Sequence, residues 1–494
     1  MVRTRFAPSP TGFLHVGGLR TALFSYVYAR KHGGQFLLRI EDTDRERFVE
    51  GGVENIIASL HWAGLTIDEG VDIGKDGHVM HKGDYGPYIQ SERLDIYKEH
   101  IQILLAKGDA YYCFCSKERL DALRKDQEAR KMPTGYDGHC RNLSQEEIDL
   151  GKPHVIRMKM PKEGKTCVTD IIRGEVCFDN SLIDDQVLIK TDGFPTYHFA
   201  LIVDDHLMKI THVIRGEEWI SSTPKHIELY RMFGWEPPAF AHLPLLVNEK
   251  KQKLSKRHGD VSVRDFTDAG YMPEALVNFV AFLGWNPGDE RELFTLKELE
   301  KAFSLEQASK AAAVFNREKL DWYNKQYMML IDLEELAARA LPFFVDQGVV
   351  SLKELEADAA TMKRQVAKAV ALEQGRAATL RELVDASGYL FADALIYDAV
   401  LLVWKKSTAE NTKNILTQLE AFLSDIQEGE WVQESLENQV KPWIEKQGYG
   451  TGDVLWPMRV ALSGQKNSPG PHEIAEVLGR EKTIQRLEQA IGKL

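Results

Sequence analysis

Residues 2–40 read VRTRFAPSPTGFLHVGGLRTALFSYVYARKHGGQFLLRI. Val2 to Phe6 alternates as a strand does, and a proline- and glycine-rich loop follows. Leu19, Ala22, Leu23 and Tyr26 then recur at helical spacing until His32-Gly33-Gly34, where a glycine can supply the left-handed stop. Gln35 to Ile40 is a second, mostly apolar strand, so the stretch predicts a β-loop-α-β unit. Glu41-Asp42-Thr43-Asp44 sits at that strand's carboxyl end. In open parallel sheets ligands bind outside the carboxyl ends of the strands, so the loop and these acids are expected to meet in one crevice.

At 494 residues the chain exceeds what one core usually supports, and two to four domains are expected. No run of about 18 apolar residues occurs. Met1 leads almost directly into the opening motif, and the expectation is a cytoplasmic protein with no membrane partner. The five cysteines are too few and too odd in number to staple such a chain, so disulfides are not expected. The net charge of -12 excludes nonspecific attraction to nucleic acid over the whole surface. It leaves room for a local basic face in Arg124 to Lys131, Arg157 to Lys165 or Lys250 to Arg257.

Composition divides the rest. From about Asp109 to Ile183 the sequence is rich in Cys, Lys and turns, which reads as an insertion into an α/β domain that resumes with Val187 to Lys190 and Tyr197 to Val203. Asp204-Asp205-His206, after that second run, reads as a turn ending an apolar strand rather than as a metal site. Asp72 to Gly83 reads as a surface insertion. Beyond about Lys325 helical spacing dominates, with helices predicted at 332–344, 352–375, 394–404, 413–426 and 480–491, and Pro471 suits a first helical turn.

Two motifs carry chemistry. The glycines of the first loop let backbone N–H groups approach a ligand, and the helix start behind them favours an anion such as phosphate, to which His15 can donate. The loop lacks the lysine and spacing of a P-loop. The second motif is Lys250-Lys251-Gln252-Lys253-Leu254-Ser255-Lys256-Arg257, a basic segment after the apolar Leu243 to Val247.

A histidine-glycine loop before the first helix, paired with a Lys-x-Ser-Lys loop downstream, resembles the signature of class I aminoacyl-tRNA synthetases. RFAPSPTGFLHVGG, GPYIQSERLDIY, YYCFCSKERL, PTYHFALIVDDHLMKITHVIRGEEW, LSKRHGD and AVFNREKLDWYN resemble the bacterial and organellar glutamyl-tRNA synthetases. The resemblance implies a multidomain α/β protein: a Rossmann-type parallel-sheet catalytic domain (1–110 and 184–245) with an inserted acceptor-binding domain (111–183). A stem-contact domain carrying KLSKR (246–325) and an all-α anticodon-binding region (326–494) complete it.

The implied activity is ATP-dependent ligation of L-glutamate to tRNA(Glu), with tRNA(Gln) as a possible second substrate, by a monomer that takes ATP with Mg2+. The implied catalytic residues are His15, Lys253 and Lys256, and the ATP contacts His15, Gly17, Gly18, Glu218, Leu246, Lys253, Ser255 and Lys256. The implied glutamate contacts are Arg5, Ala7, Ser9, Glu41, Tyr197 and Arg215, with Arg5 suited to the side-chain carboxylate because guanidinium grips it bidentately. Leu201 stands where many members carry a polar residue. Cys113, Cys115 and Cys140 resemble a structural zinc knob, but the family's histidine position is Asn142 here and His139 adjoins Cys140, so free thiols and no metal ligands are expected.

Transfer at phosphorus relies on cationic donors placed before the reaction begins. Lys256→Ala is therefore expected to lower tRNA-dependent ATP–pyrophosphate exchange about a hundredfold, with tRNA affinity in a gel shift preserved. Unchanged exchange would remove Lys256 from that role.

Overall fold

VRTRF and QFLLRI form neighbouring parallel strands, with Arg5 opposite Leu37 and Phe6 opposite Leu38. The computed structural model describes residues 1–254 and 261–494, so Ser255 and Lys256 lie outside the described residues. The chain divides into one unit of Met1–Thr267 with Leu276–Arg317 and a second of Asp268–Ala275 with Glu318–Leu494.

In the first unit the strands are β1 (Arg3–Phe6), β2 (Gln35–Leu38), β3 (Glu69–Ile73), β4 (Val79–Lys82), β5 (Ala110–Cys113), β6 (Val155–Met158), β7 (Lys165–Asp170), β8 (Gly174–Asp179), β9 (Val187–Ile189), β10 (His212–Gly216) and β11 (Ala239–Leu243), with a short parallel pair of Leu246–Val247 and Ala313–Val314 following them in sequence. Eight of them build one sheet in the order β4-β3-β2-β1-β10-β11-β7-β8, and β5-β6-β9 build a second. The pairings from β3 through β7 are parallel, and antiparallel β4 and β8 close the two edges. Strand order reverses between β1 and β10, which places a ligand crevice at their carboxyl ends.

Helices α1 (Val16–Lys31), α2 (Gly52–Trp62), α3 (Leu94–Lys107), α4 (Lys117–Ala129), α5 (Tyr197–Leu207) and α6 (Thr223–Phe233) accompany the strands. The apolar face of α1 is fully buried at Val16, Leu19, Leu23 and Phe24. Each contributes on the order of 2 kcal/mol by leaving water. Gly33, at φ +59°, lets the chain turn out of α1 into β2.

Several expectations from sequence are corrected. Residues 111–183 are not one separate insertion: β7 and β8 join the main sheet beside β11, while β9, from the following segment, completes the small sheet. Asp72 to Gly83 lies at the surface as expected, but as most of the β3-β4 hairpin rather than as an irregular loop. Cys167 and Cys177 form a disulfide. They face each other across the β7-β8 pair with Cα atoms 4.0 Å apart, a juxtaposition set by register that a cysteine count cannot reveal.

The second unit is helical, as expected. Helices at Leu333–Asp346, Leu352–Ala357, Ala359–Glu373, Ala409–Ser424 and Pro471–Lys493 match the predicted spans in position, with a break at Asp358. Residues 394–404 instead hold only a short 3-10 turn, Ala399–Leu402. Helices Gln433–Gln447 and Thr451–Ser463 went unpredicted. Among the described residues no helix is long and apolar enough to cross a membrane.

The largest correction concerns Asp204 and Asp205. They lie within α5, not after a strand, because an apolar run flanked by polar residues fits a buried helix as well as a strand. Both are buried, at 0% and 1% exposure, so each needs cationic partners. Arg93 Nε donates to Asp204 Oδ1 at 2.7 Å, and the Tyr97 hydroxyl and Gln90 Nε2 donate to Oδ2 at 2.8 and 2.9 Å. Arg39 Nη1 donates to Asp205 Oδ1 at 2.7 Å and Arg5 Nε to the same oxygen at 3.2 Å, while Arg39 Nη2 reaches Glu41 Oε1 at 3.0 Å. Burial alone would raise the Asp205 carboxyl, but Arg5 and Arg39 hold it below its ordinary value.

Arg39→Met strips Glu41 and Asp205 of a shared cation inside the protein. The expected cost is about 3–5 kcal/mol, the usual consequence of breaking a buried pair from one side, read as a lower urea midpoint for the first unit. A shift below about 1 kcal/mol, the range of exposed pairs, would mean that the network is solvated.

Candidate active site

The crevice at the carboxyl ends of β1 and β10 is a cleft of about 1130 Å³. It collects every described residue that the sequence nominated: Arg5, Ala7, Ser9, His15, Gly17, Gly18, Glu41, Tyr197, Arg215, Glu218, Leu246 and Lys253. Arg5 and Arg215 are the penultimate residues of β1 and β10, Glu41 follows β2, and Tyr197 opens α5.

On one wall His15 is the N-cap of α1, and its Nδ1 accepts from the backbone N–H of Gly17 at 3.0 Å and of Gly18 at 3.3 Å. The sequence reading gave those amides to a phosphate; here they hold the imidazole ring instead. This is why glycine is needed at position 17, since a Cβ there would lie 2.8 Å from His15 Cε1. The positive end of α1 still faces the cleft beside the ring. Lys253 is exposed, and its backbone bridges to Val247 beside Leu246.

At the deep end burial pushes the Glu41 carboxyl up to about 7, with Arg39 and Arg5 pulling it back down and Asp205 adding to the rise. Arg215 Nη1 donates to the Tyr197 hydroxyl at 3.3 Å. Burial raises the Tyr197 phenol, so it stays protonated at neutral pH. Leu201 is buried and lines the cleft, an apolar surface between these polar groups.

Sequence reasoning passed over other lining residues. The Trp219 ring lies 4.4 Å from that of Tyr197 at 36° and lines the cleft beside it, and its signal was present in the quoted GEEW. Lys190, at the end of β9, enters the cleft and donates to the Thr43 carbonyl at 3.1 Å. Asp44 and Arg47 also line it, as an ion pair. The acidic stretch after β2 thus arrives as expected, but with its own counterions.

Away from the cleft, Cys113, Cys115 and Cys140 bring their sulfurs within 4.8 Å of one another. The Tyr136 hydroxyl lies 3.4 Å from the Cys113 sulfur and 3.6 Å from that of Cys115, which sits 3.5 Å from Cys140. The three thiols supply three of the four donors that a tetrahedral structural metal takes, and the Tyr136 hydroxyl is an oxygen beside them. The sequence reading sought a histidine as fourth donor and did not consider Tyr136. In the second unit, Arg376 and Arg381 pair with Glu373 and Asp346, and Arg364 donates to Thr361, so these basic residues are tied to their own surroundings.

Comparison with known proteins agrees with this arrangement. Residues 1–322 match the family of class I tRNA synthetases (E and Q), catalytic domain, and residues 335–491 match an anticodon binding domain family. The glutamate–tRNA ligase of Clostridioides difficile (strain 630) is 46% identical over 492 residues, covering 98% of each chain. That of Chloroherpeton thalassium is 46% identical over 505 residues, covering 100% of this chain and 98% of its own. A crystal structure of a glutamate tRNA ligase from Elizabethkingia meningosepticum in complex with its amino acid superposes with a TM-score of 0.85 at 36% identity, covering 100% of this chain and 99% of that one. On these matches, which span nearly the whole chain, the chain belongs to the class I tRNA synthetases of the glutamate and glutamine type.

Proposed function

We propose that the chain ligates L-glutamate to the 3' end of tRNA(Glu) through a glutamyl-adenylate. The observation that carries this reading is the guanidinium of Arg215 at the inner end of the cleft: Arg5 and Arg39 are each paired with a carboxylate, whereas among the described residues none pairs with Arg215. The side-chain carboxylate of glutamate would supply that partner; the neutral amide of glutamine would leave the buried cation unmatched.

In this reading Arg5 and Arg215 take the substrate carboxylates, Glu41 and Ser9 take the ammonium end, and Trp219 covers the Tyr197 side. The α-carboxylate attacks the α-phosphorus of ATP, taken as its Mg2+ complex; a carbon–oxygen–phosphorus link forms and pyrophosphate departs. His15 on one wall and Lys253 on the other, with Lys256 downstream of it, are cationic or hydrogen-bonding donors for the charge that builds on the phosphoryl oxygens. A 2'-hydroxyl of the terminal adenosine of tRNA then attacks the acyl carbon and AMP leaves. Cys113, Cys115, Cys140 and Tyr136 would hold a structural zinc, which would brace the small sheet and take no part in the chemistry. The reading also makes the protein a cytoplasmic monomer.

Aminoacylation of purified tRNA(Glu) and tRNA(Gln) with radiolabelled glutamate or glutamine is the test. Charging of tRNA(Glu) by glutamate alone is expected, and tRNA(Gln) in the same assay sets the breadth of the substrate. Absence of glutamate charging, or a preference for glutamine, would overturn the reading.

A pH dependence follows from Glu41. Its carboxyl must be ionised to attract the substrate ammonium, and burial places its titration at about 7. As pH falls through that value the carboxyl takes up a proton and the attraction is lost, so kcat/KM for glutamate is expected to fall about tenfold per pH unit on the acid side. Glu41→Gln should lower the plateau and abolish that limb in initial-rate profiles.

A further inference from the structure

Arg215 differs from its neighbours in what holds it. Arg5 and Arg39 are each bound by a carboxylate, whereas no carboxylate oxygen among the described residues lies within 4 Å of Arg215. Its Nε donates to His242 Nε2 at 3.1 Å, and its Nη2 meets His226 Nδ1 at 3.2 Å and Thr223 Oγ1 at 3.0 Å. His226 and His242 are both 0% exposed and Arg215 is 5% exposed.

These bonds dictate the protons. A guanidinium has only donors, so His242 Nε2 and His226 Nδ1 must both be acceptors. His242 therefore carries its proton on Nδ1, which lies 2.6 Å from Asp170 Oδ2. Asp170 is fixed in turn by the backbone N–H groups of Ile172, Arg173 and His242. His226 carries its proton on Nε2 and donates it to His198 Nδ1 at 3.0 Å. Burial and the nearby Arg215 charge depress the His226 imidazole well below its ordinary value. His242 is lowered by burial despite the pull of Asp170. Sheet register lays out the row, because Arg215 on β10 stands opposite His242 on β11 and Phe240 opposite Asp170 on β7.

We infer that His226 and His242, the latter oriented by Asp170, are positioning residues that aim Arg215 through neutral acceptors and so leave its charge for a substrate carboxylate. A carboxylate in their place would orient the guanidinium equally well but would cancel that charge inside a low-dielectric site. The inference rests on the reading of the cleft as a glutamate site given above.

The test separates acceptor geometry from mere packing. His226→Leu and His242→Leu remove the acceptor, whereas His226→Asn and His242→Gln return an uncharged oxygen near Nδ1 and Nε2 respectively. In the full-length protein the leucine variants are expected to raise KM for glutamate by about tenfold or more, the worth of a hydrogen bond to a charged group. KM for ATP should stay within about twofold, and the amide variants should return glutamate KM to within about threefold of the parent. An unchanged glutamate KM in the leucine variants, an equal rise in both constants, or failure of the amides to rescue would each overturn the inference.

Should the leucine variants not fold, the parent protein decides. With 15N-labelled histidine at pH 7, His242 should be neutral and protonated at Nδ1, and His226 neutral and protonated at Nε2; an imidazolium or the opposite tautomer at either overturns the inference. A parent that charges no glutamate fails the functional reading. A parent that charges glutamate, with variants that leave its KM unmoved, fails only the positioning role.

Discussion

The adjacent aspartates of α5 are the constraint around which the first unit is arranged. Two carboxylates buried side by side would each shift toward protonation unless cations reached them. Arg93 reaches Asp204 from just before α3, while Arg5 and Arg39 reach Asp205 from the ends of β1 and β2. The pair thereby ties α5 to three segments separated in sequence by more than 100 residues, and it fixes Arg5 by its Nε edge. Arg5 also lines the cleft. Structure and site meet in Arg5, which both pairs with α5 and is nominated for substrate.

Across the sheet the polar row changes character. On the β1-β2 side guanidinium groups are matched by carboxylates, and on the β10-β11-β7 side Arg215 is matched by imidazoles with a single carboxylate one step further back. The first arrangement lowers the local field and the second preserves it. A cleft built of both can hold a dicarboxylate at one end and an ammonium at the other without burying a large net charge when occupied. Leu201 and the Tyr197-Trp219 ring pair supply the dry surround in which such differences count.

Legibility in the sequence followed the range of the interactions. The β1-α1-β2 unit, the stop at Gly33 and the acids after β2 were readable because each depends on local periodicity or on one residue's backbone freedom. α5 was not, since FALIV gives the same apolar run in a buried helix as in a buried strand. The exchange of β7, β8 and β9 between the two sheets, and the meeting of Cys167 with Cys177, depend on pairing partners that no local pattern names. The approach of Tyr136 to the thiols is likewise a product of the fold. Most nominated cleft residues were legible through resemblance, but what holds them in place was not. Asp170, His226 and His242 carry no motif of their own, and they matter only because register sets them beside Arg215.

The opening motif gains a different meaning from its geometry. A glycine-rich turn ahead of a helix suggests a cradle of amides for phosphate, yet the amides of Gly17 and Gly18 are bonded to the imidazole of their own N-cap. The glycines allow the ring to fold back onto the helix start, and with Nδ1 accepting from the amides the ring keeps Nε2–H as its donor in place of bare backbone. A site that has used its helix amides in this way has lost part of the usual anion cradle. Positive charge on the same cleft comes from elsewhere in the chain, as from Lys253, more than two hundred residues away in sequence. His15 and Lys253 line the same cleft from motifs that are each incomplete as a phosphate site, which is why neither motif is informative without the other.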